Sequence, residues 1–366
     1  MIYRKMRLSD FDKTLMAMVL LLFGLGLVFL MSATSLRSQE MNLGYVMRQM
    51  TSFFVAVAIM FIIINIDYQR LIDASWVIYG VNILALVLLM FIGRARLGAQ
   101  RWFAIGNFTI QPSEFIKVTF ILTLASYISG KRYMMNRLEN LIGPFLIFAA
   151  PFILVLLQPD LGTALLLAPM LFIMLYAGGA NLRHLLSIGG LGLACAPLFW
   201  NFLRDYQRQR LLVFMNPNID PLGAGYTIIQ SKIAVGSGGM FGKGWLAGTQ
   251  NQLNFLPERH TDFIFSVVGE EWGFVGSAVL VLLYFILIRR IFRIARLTSD
   301  TAGKLIAVGI GTYLAFQVVI NIGMTIGLAP VVGIPLVLIS YGGSSLVATF
   351  LAIGLVLNVA MRRSTF

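Results

Sequence analysis

The 366-residue sequence predicts an all-α polytopic membrane protein with ten transmembrane helices and one long extracytoplasmic loop, residues 203–262, between spans seven and eight. Three observations carry that expectation. Apolar residues make up 58% of the chain and charged residues 12%, at a mean hydropathy of +0.85, whereas a water-soluble domain carries about 25% charged residues. Apolar runs recur at the length of about 20 residues that a helix needs to cross a bilayer. Lys and Arg are shared unequally between the segments that join those runs.

In chain order the runs cover residues 14–33, 45–66, 75–92, 114–129, 141–157, 161–177, 184–202, 263–288, 303–327 and 336–360. The first follows the basic start MIYRKMR, which resembles the n-region of a signal peptide. Its apolar stretch is too long for a cleaved segment and reads as a span. QPD at 158–160 joins the fifth and sixth runs, and SYGGSS at 340–345 interrupts the tenth. The whole chain, 1–366, reads as a single integral membrane domain.

Orientation follows from Lys and Arg, which are retained on the cytoplasmic side. With both termini inside, cytoplasmic segments hold sixteen of the 28 basic residues and short outer segments hold six. The remaining six, Arg204, Arg208, Arg210, Lys232, Lys243 and Arg259, all fall within 203–262. Long loops cross regardless of charge, so a cationic outer face is permitted there and points to an anionic ligand such as lipid phosphate. The net charge of +13 is therefore mostly an orientation signal and does not point to nucleic acid.

Cys195 is the only cysteine and His184 and His260 the only histidines, so a disulfide framework and a Cys or His metal site are both excluded. A metal would have to be oxygen-ligated Mg²⁺ or Mn²⁺. Neither a P-loop nor a dinucleotide fingerprint is present. Of the fifteen acidic residues, Asp10, Asp12, Asp67, Asp73, Glu139 and Asp300 read as ordinary solvated cytoplasmic charges. Glu114, Asp160, Glu258, Asp262, Glu270 and Glu271 instead lie at or inside the outer ends of spans. Ionisable groups are costly in a membrane and usually face a bundle interior or a wet cavity, so a polar cavity near the outer surface follows.

Six stretches then carry a resemblance: GAQRWFAIGNFTIQPSEFIK (98–117), QPDLGT (158–163), DYQRQR (205–210), DPLGAGYTIIQSKIAVGSGGMFGKGW (220–245), FLPERHTDFIF (255–265) and PVVGIPLVLISYGGSS (330–345). Together, in order and over nearly the whole chain, they resemble the SEDS family of bacterial cell-wall polymerases. The resemblance implies a ten-span glycosyltransferase that polymerises lipid II on the outer face of the bacterial cytoplasmic (inner) membrane. It also implies a partnership with a class B penicillin-binding protein that crosslinks the strands, within a wider set of elongation-complex membrane proteins and membrane lipids. The acidic residue of the ERHTDF motif, here Asp262, is the one the family implies as essential.

Such a reaction has definite requirements. Lipid II carries its sugars on a polyprenyl pyrophosphate, a built-in leaving group, so no nucleotide is needed. A base must take the proton of the acceptor hydroxyl, and cations must stabilise the departing pyrophosphate. Asp262 is the candidate base or Mg²⁺ ligand, and Arg48, Arg101, Lys117, Arg210, Lys243 and Arg259 are the candidate cations, with Trp102, Glu114, Asp160 and Glu258 completing the candidate substrate site. An α-linked donor giving a β-1,4 linkage implies one inverting displacement.

Simpler readings compete. Thr261 and Asp262 precede a helix and fit as N-caps, as does Asp160. Glu114 and Lys117, spaced i,i+3, fit an ion pair that neutralises two intramembrane charges. Trp102 fits an interfacial belt. YGGSS fits close helix packing, and RRIFRIAR (289–296) fits an orientation signal. A lipid II flippase and a non-catalytic scaffold for a transpeptidase use the same ligand or partner. Transporters, however, bind near the midplane between repeats, while the charges here gather at one face.

Overall fold

A computed structural model describes residues 10–35, 43–92, 94–96, 99–105, 108–131, 134–199 and 205–362. The chain opens with α1 (Lys13–Thr34), α2 (Leu43–Asn65), the short α3 (Tyr68–Asp73) and α4 (Ser75–Ile92). A small sheet, β1 (Arg94–Arg96), β2 (Ala99–Ile105) and β3 (Phe108–Ile110), leads into α5 (Pro112–Gly130), α6 (Ile142–Leu157), α7 (Leu161–Ala177) and α8 (Leu182–Phe199). The long polar segment carries α9 (Asp205–Met215), α10 (Ala224–Ser237) and α11 (Thr249–Gln252); α12 (Ile264–Leu297), α13 (Thr301–Ile326) and α14 (Gly343–Arg362) follow. Among the described residues, six helical stretches are long and apolar enough to cross a membrane: α1, α2, the stretch Leu138–Leu157 that ends in α6, α12, α13 and α14.

The sheet departs from the all-α expectation. Its strands pair antiparallel in the order β1-β2-β3, with Phe103 opposite Ile110 and Ala104 opposite Thr109. A search for 20-residue apolar runs passes over such a segment, although Gly-Asn at 106–107 between short β-prone runs is a hairpin signal. Ser344 at the start of α14 fixes the sheet's end, donating to Thr109 O at 2.8 Å and accepting from the Gln111 amide at 3.1 Å.

Helix starts follow local chemistry. Asp12, Asp160 and Asp300 accept from the amides of Leu15, Thr163 and Gly303, capping α1, α7 and α13. Asp12 also pairs with Arg290 at 2.7 Å, and Asp300 accepts from Tyr68 Oη and Gln69 Nε2. Asp67 caps α3 and is buried. Solvated charge is therefore the wrong description of Asp12, Asp67 and Asp300, because open helix N-termini attract nearby carboxylates. Nor does Arg290 only orient the chain, since it ties α12 to the start of α1.

The centre of the fold is α13, packed on α12, α7 and α5, with α14 seated against α2. Buried residues such as Ile116, Phe120, Ile121 and Leu124 cover the circumference of α5, as enclosed helices require. Outer helices differ: α2 and α4 expose Phe54, Phe61, Val77 and Phe91. The tenth apolar run starts too early, because 336–342 is an irregular link and α14 begins only at Gly343. Pro335 lacks an amide donor, and Val332 and Ile334 instead pack into a cluster with Leu166 and Met324.

α12 is broken at Gly273 (φ 65°, ψ −159°). The freed groups are taken by the glycine-rich loop that follows α10. The amides of Phe274 and Val275 donate to Gly239 O and Met240 O at 2.9 and 3.0 Å, and Glu270 O and Glu271 O accept from the amides of Lys243 and Gly244, both at 3.0 Å. A Cβ on Gly273 would lie 2.3 Å from Gly242 N, so this break needs glycine for space as well as for its positive φ.

Candidate active site

Asp262 stands in the turn before α12, half-buried. It is not the helix cap. The N-cap is Phe263, which makes no side-chain cap hydrogen bond, and Thr261 Oγ1 donates back to Glu258 O and Oε2 at 3.2 and 3.1 Å. The cap reading of Thr261 and Asp262 fails for a local reason. Glu258, left-handed at φ 49°, closes a turn whose carbonyl accepts the amides of Thr261 and Phe263 at 3.1 and 3.3 Å.

Parts of α2, α13 and the 328–342 link converge on this turn. Asn321 Nδ2, fully buried on α13, donates to Asp262 O at 2.9 Å and to Ile334 O at 2.7 Å. Ser340 Oγ donates to Thr261 O at 2.5 Å and the Tyr341 amide to His260 O at 2.9 Å. The rings of Tyr45, His260 and Tyr341 gather beside it, with centroids 5.0 to 5.9 Å apart. Gly333, at φ 72°, faces the carboxylate: a Cβ there would lie 3.4 Å from Asp262 Oδ2.

Glu114 and Lys117 form the expected ion pair, 2.9 Å long. Lys117 is 0% exposed, sits over the Tyr313 ring and donates to Gln317 Oε1 at 3.3 Å. The amide of Gln317 continues to Pro335 O at 2.9 Å, so the pair is joined through α13 to the link that holds Asp262. Asp160 serves as a cap and interhelical hub, accepting from Thr163 N and Oγ1, Ser113 Oγ and Gln111 Nε2.

The remaining candidates divide. Lys243 pairs with Glu270 at 2.8 Å, and Thr249 Oγ1 and the Gln250 amide also reach Glu270 Oε1. Glu271 accepts from Ser32 on α1. Arg259 donates to Ala33 O at 2.6 Å, holding the end of α1, and to Asn254 Oδ1; burial lowers its pKa from the ordinary guanidinium value, with Tyr45 opposing that shift. Arg48 and Glu258 are exposed. Arg210 is half-buried with its guanidinium 5.7 Å from the Tyr206 ring centroid, and Trp102 is half-buried on β2. The Arg101 side chain lies outside the described parts of the structure.

Four residues that build this site carry little signal of their own: Gln317, Asn321, Gly333 and Ser340. Two amides four residues apart in the apolar run AFQVVINIG mark an interhelical polar seam, and that signal would have found Gln317 and Asn321. Among the described residues no group of three or more His, Cys, Asp or Glu converges. That is a poor fit to an all-protein metal cage. It suits a Mg²⁺ held by one carboxylate and by substrate phosphates.

Comparison with known proteins places this arrangement. Residues 13–365 match the family described as the cell cycle proteins FtsW, RodA and SpoVE. The peptidoglycan glycosyltransferase MrdB of Escherichia coli K12 is 40% identical over 353 residues, covering 96% of this chain and 95% of that protein. A chain from a peptidoglycan synthase complex that coordinates polymerization and crosslinking superposes with a TM-score of 0.82 at 35% identity, over 96% of this chain and 97% of its own. The rod shape determining protein RodA of Thermus thermophilus does so with a TM-score of 0.73 at 32% identity, over 97% and 98%. Family match, full-length relatives and superposition agree: the chain is an integral membrane protein belonging to the FtsW/RodA/SpoVE (SEDS) family.

Proposed function

We propose that this protein is a peptidoglycan glycosyltransferase that polymerises lipid II into β-1,4-linked strands at the outer face of the bacterial inner membrane during cell elongation. The observation that carries the reading is Asp262. It stands at the head of α12, held through its backbone carbonyl and not used as a cap, in a family whose full-length relatives are named as glycosyltransferases. Those names favour polymerisation over transport or scaffolding.

Asp262 accepts the proton of the acceptor hydroxyl while that oxygen attacks the donor's anomeric carbon. The bond to the polyprenyl pyrophosphate breaks in the same displacement, and configuration inverts. Positive charge is needed at the departing pyrophosphate. Arg48, which is exposed, carries more of that role than Lys117, which is enclosed, Lys243, paired with Glu270, or Arg259, tied to Ala33. A Mg²⁺ or Mn²⁺ bound by Asp262 would supply further charge for the leaving group.

The proposed topology has ten spans, both termini cytoplasmic and 203–262 outside, in one domain covering 1–366. It is supported by the coincidence of all ten apolar runs with helices and by the distribution of Lys and Arg. The proposed partner is a class B penicillin-binding protein, supported by the superposition on a polymerization and crosslinking complex. Purified protein in liposomes with lipid II, with and without that partner, tests the reading. Glycan polymer is expected; translocated lipid II without polymer would replace polymerisation with transport, and neither outcome with or without partner would leave a scaffold.

A further inference from the structure

The loop at 238–245, GGMFGKGW, has an unusual position for a polar segment rich in glycine. It is bound to the broken middle of a membrane helix, through the backbone hydrogen bonds to residues 270–275 described above. Its two large apolar side chains point away from the protein: Met240 is 59% and Phe241 81% exposed. In water, such exposure would be costly for both side chains.

The neighbours say what surrounds them. Below the break, α12 exposes Phe274, Val275, Val279, Leu282 and Phe285 along one face, the lipid-facing face of a spanning helix. Gly239 O and Met240 O bond directly to the amides of Phe274 and Val275, so Met240 and Phe241 continue that apolar belt without interruption. Depth agrees. The basic end of α12 begins at Arg289, fifteen residues below Phe274, and at 1.5 Å per residue the hairpin sits about 22 Å from it, inside a hydrocarbon core about 30 Å thick.

Two further features fit an apolar setting. Irregular backbone is tolerated at membrane depth only where its polar groups are taken by protein, and the break in α12 and the loop satisfy each other's amides and carbonyls. The loop's single charge, Lys243, is turned onto Glu270 at 2.8 Å and Thr249 at 2.8 Å. Trp245, at the rim, donates its indole N–H to Val28 O at 3.4 Å, the arrangement of an interfacial tryptophan with one apolar and one polar edge.

We infer that residues 238–245 form a re-entrant hairpin seated in the acyl region of the leaflet away from Arg289, with Met240 and Phe241 against lipid chains. In the proposed topology this is the outer leaflet. The hairpin thus anchors the long segment 203–262 in the membrane beside the candidate active site.

The test uses full-length protein in phosphatidylcholine–phosphatidylglycerol vesicles, with Cys195→Ser as background and single cysteines at Met240, Phe241 or the exposed Asn218, each labelled with the fluorophore NBD. Expected at 240 and 241 are blue-shifted emission and several-fold stronger quenching by doxyl-labelled phosphatidylcholine than at 218, with iodide effective only at 218. Both positions are exposed, so labelling at either is compatible with folding, and a monodisperse elution profile checks it. Iodide quenching at 240 and 241 equal to that at 218 overturns the proposal. So does shielding that arises only when a class B penicillin-binding protein is added, which would make the patch a protein-docking surface.

Discussion

Asn321 holds Asp262 by the backbone: its Nδ2 donates to Asp262 O at 2.9 Å and, at the same time, to Ile334 O at 2.7 Å. One buried amide on α13 therefore sets the distance between the Asp262 turn and the link that carries Gly333 and Ser340. Four residues earlier on the same face, Gln317 bonds Pro335 O and Lys117. The seam runs from the Glu114–Lys117 pair to Asp262 and reaches it through the backbone carbonyl.

Asn321→Leu removes both bonds and leaves two buried carbonyls without that partner, a loss of about 1–3 kcal/mol for each unsatisfied group. A lower melting temperature in detergent is expected, together with slower polymerisation, although Asp262 itself is untouched. Unchanged melting and rate would show that the turn is held by its other contacts.

Asp262→Asn keeps the size of the side chain and removes the proposed base. Because Phe263 and not Asp262 is the N-cap, folding should be unaffected, while polymerisation falls about 10²-fold or more. A purified variant retaining more than about a tenth of the normal rate falls short of that bound and removes Asp262 from the chemistry. Strict dependence of the unmodified protein on Mg²⁺ or Mn²⁺ would shift its role from proton acceptor to metal ligand. Glu258→Gln, at an exposed neighbour, should weaken activity without abolishing it.

Lys117→Met strands a buried Glu114 carboxylate. Breaking such a pair costs about 3–5 kcal/mol, so lower yield and melting temperature are expected. Adding Glu114→Gln removes the stranded charge and should restore most of the stability. If polymerisation also returns in the double variant, Lys117 acts only through its pairing; if stability returns without activity, its charge serves the reaction.

Cysteines introduced at Arg4 and Arg363 should resist an impermeant thiol reagent in intact spheroplasts, whereas one at Asn218 should react. The reverse pattern would place 203–262 in the cytoplasm and leave no lipid II at Asp262.

The sequence by itself determined the long apolar helices, because bilayer thickness and the need to satisfy every backbone amide inside it leave an apolar run little choice, but not α3, α9, α10 or α11. Each of the ten runs holds a helix among the described residues, and the tenth misleads where Pro335 and its neighbours replace the first turns by a link. Sequence also singled out the candidate charged residues, since charge is rare at the ends of apolar runs, and found the Glu114–Lys117 pair, since i,i+3 neighbours meet on any helix. It could not say which charges were already spent. Lys243 reaches Glu270 across 27 residues and Arg259 reaches Ala33 across 226, distances that only the packed chain closes. The sheet at 94–110 and the break at Gly273 belong with these, because each arises from backbone groups finding partners, and backbone groups are the same in every sequence. Tertiary structure thus decided that Asp262 is not a cap and that Asn321, Gly333 and Ser340 hold its turn, because those three are neutral and look alone like ordinary helix or loop residues until distant segments bring them to one carboxylate.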